Sequence, residues 1–250
     1  VLGSAVLAAR PPRALAVSEG VAPDDDAAAR FARHSGLPPL PEGFRLTDYD
    51  VLMITSEATR WDQTSFADPG LDTTPELLAW AGRRAPFVFS QAWSPGCGTL
   101  QSLAATHSMA TPSGAALRLE RKVWLGELLE EAETVAEVFR TGGYRTLWVG
   151  HDFRGHFEEN ILGLEQGFDL KDLVRPGDRL GDTDRHIADR AIAHLDRLGT
   201  KDRIFGWFFF ASPHSPYEAR YPDRPGATPL QRYRQDLHYA DAQMGRVLRH

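Results

Sequence analysis

Reactive side chains in this sequence follow directly after apolar, strand-like segments. The pairs are 49–55 with Glu57 and Arg60, 87–93 with Cys97 and Thr99, 145–149 with His151 and Asp152, and 204–210 with His214. If these segments are parallel strands, their carboxyl ends meet at one edge, where open α/β sheets form their sites. One crevice would then collect a carboxylate, a hydroxyl, two imidazoles and a guanidinium. That composition suits the cleavage of an ester.

The first strand end offers a carboxylate and a guanidinium. Glu57 follows a segment that reads as buried, and its carboxylate could bind a hard cation through oxygen. Arg60 could orient Glu57 or bind an anionic substrate through two N–H groups. The simpler alternative for Glu57 is an exposed glutamate in a loop, and for Arg60 it is a surface salt bridge.

The second strand end offers two nucleophiles. The run Gly96-Cys97-Gly98-Thr99 permits a tight turn before a helix predicted from near Thr99 to about Met109. Amide N–H groups and the helix dipole lower the pKa of a nucleophile at such a position and attract a substrate anion. The residues alone leave Thr99 and Cys97 both open. The alternatives are a plain helix cap and a small, half-buried thiol.

Histidines occupy the other two strand ends. His151 and Asp152 could donate to a bound oxyanion or relay its protons. His214 lies between Pro213 and Pro216, which stiffen the loop and fix the direction of the imidazole. A polar loop and an ordinary turn histidine are the alternatives.

Strand-like and helix-like segments alternate along the chain, which predicts an α/β fold with a doubly wound, mostly parallel sheet flanked by helices. Proline and threonine mark two helix starts, at Pro75 and Pro229, and Thr134 is a further candidate cap. The predicted helices are 75–82, 99–109, 124–140, 182–198 and one that begins at 229.

Composition sets outer limits on function. The 250 residues carry a net charge of -6, so nothing indicates a nucleic-acid partner, and the single cysteine excludes an intrachain disulfide. Residues 1–47 read as an N-terminal arm or linker, and the apolar residues 1–9 as a possible remnant of a membrane or signal segment. Residues 48–250 read as the N-terminal portion of a catalytic domain.

Six segments, in this order, resemble the sulfatase branch of the alkaline-phosphatase superfamily. That branch includes sulfatases, lipoteichoic-acid synthase-like phosphoglycerol transferases and lipid A phosphoethanolamine transferases. The resemblance begins at about Asp48 and continues to the end of the chain. The segments are 50–60, 74–81, 89–94, 134–146, 213–217 and 233–248.

The resemblance implies a role for each candidate residue. Glu57 would be a metal ligand, and Thr99 would be both the nucleophile and a second metal ligand. Glutamate without an adjacent acid looks more like the transferases than the sulfatases, which use paired aspartates. The residues implied to contact the sulfate or phosphate group, or to lie near it, are Arg60, Ser102, His151 and His214. The implied cofactor is a divalent metal ion, one of Ca, Mn, Mg or Zn.

The sequence departs from the family pattern at three places. His151 falls near the lysine of the sulfatase "GKWH" segment, but the residue type differs. Cys97 lacks the following x-Pro/Ala-x-Arg that formylglycine sulfatases require, so its conversion to formylglycine is not expected. The family's later "SDHG" metal ligands have no match before His250. We therefore expect a C-terminally incomplete fold whose remaining metal ligands lie beyond this chain.

The leading functional expectation is a metal-dependent hydrolase or transferase that cleaves sulfate or phosphate esters through a covalent threonine intermediate. Its partner would be a sulfated or phosphorylated small molecule, glycan or lipid head group. A missing N-terminal segment could attach it to a membrane, which would place it in the cell envelope. Two alternatives stay open: a non-catalytic domain that binds anionic glycans or lipids, and a phosphodiesterase of the same superfamily.

Overall fold

A computed structural model of the protein describes residues 6–9, 42–84, 86–90, 92–110, 117–120, 125–152, 160–175, 180–199 and 202–250. Its strands are β1 Val6–Ala9, β2 Val51–Ser56, β3 Leu117–Glu120, β4 Leu125–Leu128, β5 Arg145–His151, β6 Asn160–Leu162, β7 Leu170–Val174 and β8 Ile204–Phe210. Its helices are α1 Pro75–Arg84, α2 Thr99–His107, α3 Val135–Thr141, α4 Leu180–Arg197 and α5 Pro229–Arg249.

The main sheet has five strands in the order β1-β2-β8-β5-β7. Strands β2, β8, β5 and β7 are parallel neighbours, and β1 is antiparallel to β2 at the edge. The predicted mostly parallel sheet is therefore confirmed. A second, three-stranded sheet has the order β3-β4-β6 and was not predicted from the sequence.

The central strand β8 is buried on both faces of the sheet. All its residues are buried, and successive side chains alternate between two apolar clusters. Phe205, Trp207 and Phe209 pack with residues of α2 and α3, whereas Phe208 and Phe210 pack with residues of α1, α4 and α5. Helices thus cover both faces, which is the doubly wound arrangement that a continuous apolar strand indicates.

Local sequence signals predicted most helix ends correctly. Thr134 and Thr228 each form a capping box with a residue three positions on, as expected of threonine at these starts. Gly142 follows α3 as its C-cap, and Gly143 has a φ of 82°, which only glycine adopts without strain. Helix α1 continues past the predicted end at Gly82 to Arg84.

Two predicted elements are wrong. The segment 87–93 forms no strand in its described residues, and Phe87 and Trp93 are 69% and 91% exposed. An apolar segment becomes a strand only where another strand is available to pair with it. The outer edge of β2 is already paired with β1, so it is not available to 87–93. The predicted helix 124–140 instead contains strand β4 followed by the shorter helix α3, because β4 pairs with β3 and β6.

Most of the predicted arm, residues 1–47, lies outside the described residues. Within it, Val6–Ala9 forms β1, and Leu46–Asp48 forms a turn of 3-10 helix. Across the described part of the chain, no helix combines the length and apolar character needed to cross a bilayer.

Candidate active site

Three strand ends meet at one edge of the main sheet. Ser56 at the end of β2 lies beside Phe210 of β8, and Gly150 of β5 lies beside Phe209. The amide of Glu57 continues the ladder, because it donates to the carbonyl of Phe210 at 3.0 Å. The polar residues after β2, β5 and β8 therefore share one edge, as parallel strands require.

Glu57 and Thr99 are in direct contact in the described structure. The Thr99 hydroxyl donates a hydrogen bond to Oε1 of Glu57 across 42 residues of sequence. Glu57 is buried with only 7% exposure, which makes its carboxylate a group held in place rather than a solvated one. Thr99 is the first residue of α2, after the N-cap Gly98. Its hydroxyl thus lies where the helix dipole and first-turn amides favour negative charge.

The turn before Thr99 is organised by two serines. The hydroxyls of Ser94 and Ser102 both donate to the carbonyl of Gly96, at 2.7 and 2.9 Å. Ser102 is fully buried, so its hydroxyl has a clear role in shaping this turn. Gly96 itself approaches Gln101 so closely that an added Cβ would lie 2.9 Å from the Gln101 Cβ. The exposed thiol of Cys97 projects from the same turn.

Arg60 is held by a neighbour on the surface. Its guanidinium forms two hydrogen bonds to Asp62, at 3.0 and 2.7 Å, and this ion pair is exposed. The hydrogen bond from Arg60 lowers the pKa of Asp62. The side-chain contact therefore matches the surface salt bridge that the sequence left open, and the main chain of Arg60 is what reaches the site.

His151 and Asp152 are buried at the end of β5, with 4% and 2% exposure. The Asp152 carboxylate accepts from Nε of Arg175 at 3.4 Å, at the end of the neighbouring strand β7. Burial at the same edge as Glu57 distinguishes this pair from a polar surface loop.

The His214 loop is fastened to the sheet edge and to helix α4. Nδ1 of His214 lies 2.6 Å from the carbonyl of Ser215, which can only accept, so Nδ1 carries the hydrogen. The carbonyl of Ser212 accepts from the Ser56 hydroxyl at 2.7 Å. From α4, Asp184 accepts from the amides of Ala211 and Ser212 at 2.7 and 3.1 Å.

Asp184 is a buried acid with an unusual protonation range. Burial raises its pKa to about 6, although the hydrogen bonds from Ser212 and Ala211 act in the opposite direction. Its two amide donors fix the start of the loop immediately after β8. Asp184 therefore supports the backbone that leads to His214.

The donor set at Glu57 and Thr99 fits a divalent cation in part. A carboxylate and a hydroxyl are both oxygen ligands, which hard cations prefer. Among the residues that the structure describes, no group of three or more His, Cys, Asp and Glu side chains is arranged to hold a metal. Glu57 and Thr99 could thus offer two oxygens to such a cation.

The sequence did not single out three residues that organise this edge. They are Ser56, Asp184 and Tyr233, whose hydroxyl bonds to the turn after Glu57. Each acts on a residue that is distant in sequence, with Tyr233 lying 173 positions from Arg60. No local spacing or composition marks such contacts before the fold is known.

Comparison with known proteins agrees with this architecture. Residues 49–250 match the family model described as Sulfatase. No curated protein matches the chain. A 2-O GAG sulfatase is similar in structure, with 16% identity, a TM-score of 0.60 and coverage of 79% of this chain and 53% of its own.

Two further structures have the same fold outside the glycan sulfatases. The C-terminal periplasmic domain of EcEptC from Escherichia coli, in complex with Zn, is 15% identical, with a TM-score of 0.54 and coverage of 79% and 57%. The phosphonate monoester hydrolase of Agrobacterium radiobacter is 14% identical, with a TM-score of 0.54 and coverage of 79% and 58%. This chain spans a little over half the length of each of these structures.

Proposed function

Since this chain belongs to the sulfatase family, we propose that it carries the nucleophile half of a metal-dependent active site that cleaves sulfate or phosphate esters. The observation that carries the proposal is the hydrogen bond from the Thr99 hydroxyl to the buried Glu57 carboxylate. A hydroxyl at a helix N-terminus, paired with a fixed carboxylate, is arranged for nucleophilic attack on an anionic centre.

In this reaction, Oγ1 of Thr99 forms a bond to the phosphorus or sulfur of the ester. The hydroxyl proton passes to solvent water as this bond forms, so the Glu57 carboxylate keeps its charge. The bond to the ester oxygen breaks, and the leaving oxygen keeps the electron pair and takes up a proton. Water then hydrolyses the Thr99 ester, or an acceptor alcohol takes the group instead.

A divalent cation held by Glu57 and Thr99 would favour the ionised hydroxyl and offset charge on the transferred group. The remaining ligands would come from residues outside the described ones. The Zn complex of the EcEptC domain supports this proposal, and the identity of the metal for this chain is open among Ca, Mn, Mg and Zn.

We propose that His214 and His151 bind the negatively charged oxygens of the transferred group. His214 donates through Nδ1 to Ser215, so Nε2 is the ring nitrogen that would contact the anionic oxygen. His151, buried at the same edge, would assist in holding the transferred group, and Arg60 would contribute after release from Asp62.

The substrate we propose is a sulfated or phosphorylated glycan, lipid head group or small molecule. The GAG sulfatase supports a sulfated substrate, and the phosphonate monoester hydrolase supports a phosphorus-containing one. The periplasmic EcEptC domain supports a site of action in the cell envelope.

The decisive test is Thr99→Ala in the full protein, assayed with aryl sulfate, phosphate and phosphonate esters. We expect a loss of at least about 10³-fold in kcat, because the variant lacks the hydroxyl that forms the covalent intermediate. Mass spectrometry of quenched wild type should find the transferred group on the Thr99 peptide.

Two matched variants control this test. Thr106→Ala removes a hydroxyl from the same helix that donates to the Ser102 carbonyl, and Cys97→Ala removes the competing nucleophile. Both should retain most activity. Full activity of Thr99→Ala would contradict the proposal. Tight binding of sulfated glycans with neither turnover nor metal would favour a non-catalytic binding domain instead.

A further inference from the structure

The turn after Glu57 is clipped by a single hydroxyl from helix α5. Tyr233 donates to the carbonyl of Ala58 at 3.0 Å and accepts from the amide of Arg60 at 2.8 Å. Tyr233 is 4% exposed, so these bonds form away from water. The hydroxyl thereby fixes both ends of the three residues that follow the carboxylate.

This turn needs outside support because its backbone is strained. Ala58 has a φ of 53°, in the left-handed region that non-glycine residues rarely adopt. Upstream, the Glu57 amide is bonded to Phe210, so the strand end is already fixed. Downstream, the Tyr233 hydroxyl is bonded to the Ala58 carbonyl and to the Arg60 amide, and these two bonds keep the turn from relaxing. The direction of the Glu57 side chain depends on both constraints.

Tyr233 also contacts the second loop of the site. Its ring packs edge-to-face on Tyr217, with centroids 5.3 Å apart and planes at 88°. Tyr217 belongs to the same proline-rich loop as His214. A single side chain therefore contacts the Glu57 turn through hydrogen bonds and the His214 loop through its ring.

We infer that Tyr233 is a positioning residue, whose hydroxyl holds Glu57 in register with Thr99 and whose ring aligns the His214 loop with the same edge. The inference rests on the proposed function, since it assigns the purpose of the contact to the Glu57–Thr99 pair. Burial raises the pKa of Tyr233 to about 12, so the hydroxyl keeps its hydrogen for Ala58 across the neutral range.

The test is Tyr233→Phe in the full protein, because this change removes only the hydroxyl and keeps the ring against Tyr217. We expect kcat for ester cleavage to fall about 10- to 100-fold, as when a group that orients an active-site ligand is lost, with a smaller change in KM. Affinity for added Zn or Mn, measured by calorimetry, should fall over the same range. Amide exchange at Arg60 should accelerate.

The matched control is Tyr144→Phe. Tyr144 is also buried, and its hydroxyl donates to the carbonyls of Leu46 and Tyr49 at 2.6 and 3.1 Å. It lies just before β5, at the amino ends of the parallel strands, whereas the candidate site lies at their carboxyl ends. A merely structural role for Tyr233 predicts that both variants lose stability and activity alike. Our inference predicts that only Tyr233→Phe loses kcat and metal affinity.

The outcomes separate this inference from the proposed function. If Thr99→Ala is inactive and Tyr233→Phe keeps wild-type kcat and metal affinity, the positioning role is wrong and the proposed function stands. Full activity of Thr99→Ala overturns both. Equal losses in the Tyr233 and Tyr144 variants also overturn the positioning role.

Discussion

His107 is buried in the core, where the charged form of its imidazole is disfavoured. Its ring is fully buried and stacks on Trp207, with centroids 4.0 Å apart, and Trp148 meets its edge at 5.5 Å. Among the described residues, neither ring nitrogen finds a hydrogen-bond partner. Burial lowers the pKa of His107 to about 3, so the folded state holds this imidazole neutral.

This depressed pKa predicts how stability depends on pH. The unfolded chain binds a proton at His107 near pH 6.5 and the folded chain only near pH 3, so stability is lost as pH falls between these values. We predict that His107→Phe removes this loss. Between about pH 7 and pH 4.5, wild type should lose about 2 to 3 kcal/mol more unfolding free energy than the variant.

Urea unfolding at a series of pH values measures this difference. The same substitution at the exposed His186 should leave the profile of wild type unchanged. Parallel profiles for wild type and His107→Phe would contradict the prediction. The result is independent of the chemistry at Thr99, because His107 lies at the far end of α2.

At the scale of elements, helix α5 holds the start of α1. Asp241 of α5 accepts from the amides of Glu76 and Leu77, at 2.7 and 3.0 Å. The N-cap hydroxyl of Thr74 is bonded to the Ser65 amide instead, so the aspartate from another helix replaces the usual cap. Burial raises the pKa of Asp241 to about 7.

We predict that Asp241→Ala destabilises the protein by about 1 to 3 kcal/mol, because it leaves two first-turn amides without their acceptor. Asp241→Asn keeps one acceptor oxygen and should cost less. Asp196→Ala, at an exposed position of α4, should change the unfolding free energy by under about 0.5 kcal/mol. Chemical denaturation measures all three, and equal effects for the Ala variants at 241 and 196 would exclude the capping role.

Sequence patterns predicted helices better than strands. Helices α2, α4 and α5 begin within two residues of the predicted positions, because capping residues and 3.6-residue periodicity are local signals. The segment 87–93 failed as a strand, and β3, β4, β6 and β7 were not foreseen. Whether such a short segment becomes a strand depends on a neighbour elsewhere in the chain, which its own residues do not encode.

At the scale of the whole molecule, the proposed site joins three parts of the fold. Glu57 comes from the end of β2, Thr99 from the start of α2, and the His214 loop from the end of β8. A ligand that binds only this assembled arrangement stabilises the folded state by mass action. Metal binding should therefore be visible in the melting temperature of the protein, separately from turnover.

We predict that saturating Zn, Mn, Ca or Mg raises the melting temperature of wild type and that EDTA reverses the effect. A cation at 100 times its Kd adds about 2.7 kcal/mol of stability. Glu57→Gln should abolish the shift, because the amide lacks the charge of a carboxylate ligand. Asp62→Asn, which alters an exposed acid in the same loop, should preserve it. An undiminished shift in Glu57→Gln would place the cation elsewhere.

The sequence by itself determined the α/β class and the placement of reactive residues after apolar segments. It could do so because burial on both faces of a sheet requires continuous apolar runs, and helix starts carry their own capping residues. Glu57, Thr99 and His214 were predicted as site residues from these local signals and from the resemblance of their segments to the sulfatase family.

Only the tertiary structure decided which of these residues touch. The contact between Glu57 and Thr99 spans 42 residues, and Tyr233 reaches Arg60 across 173. Such contacts depend on strand order and helix packing, which follow from the free energy of the whole fold rather than from any local segment. The same dependence explains why 87–93 did not pair as a strand.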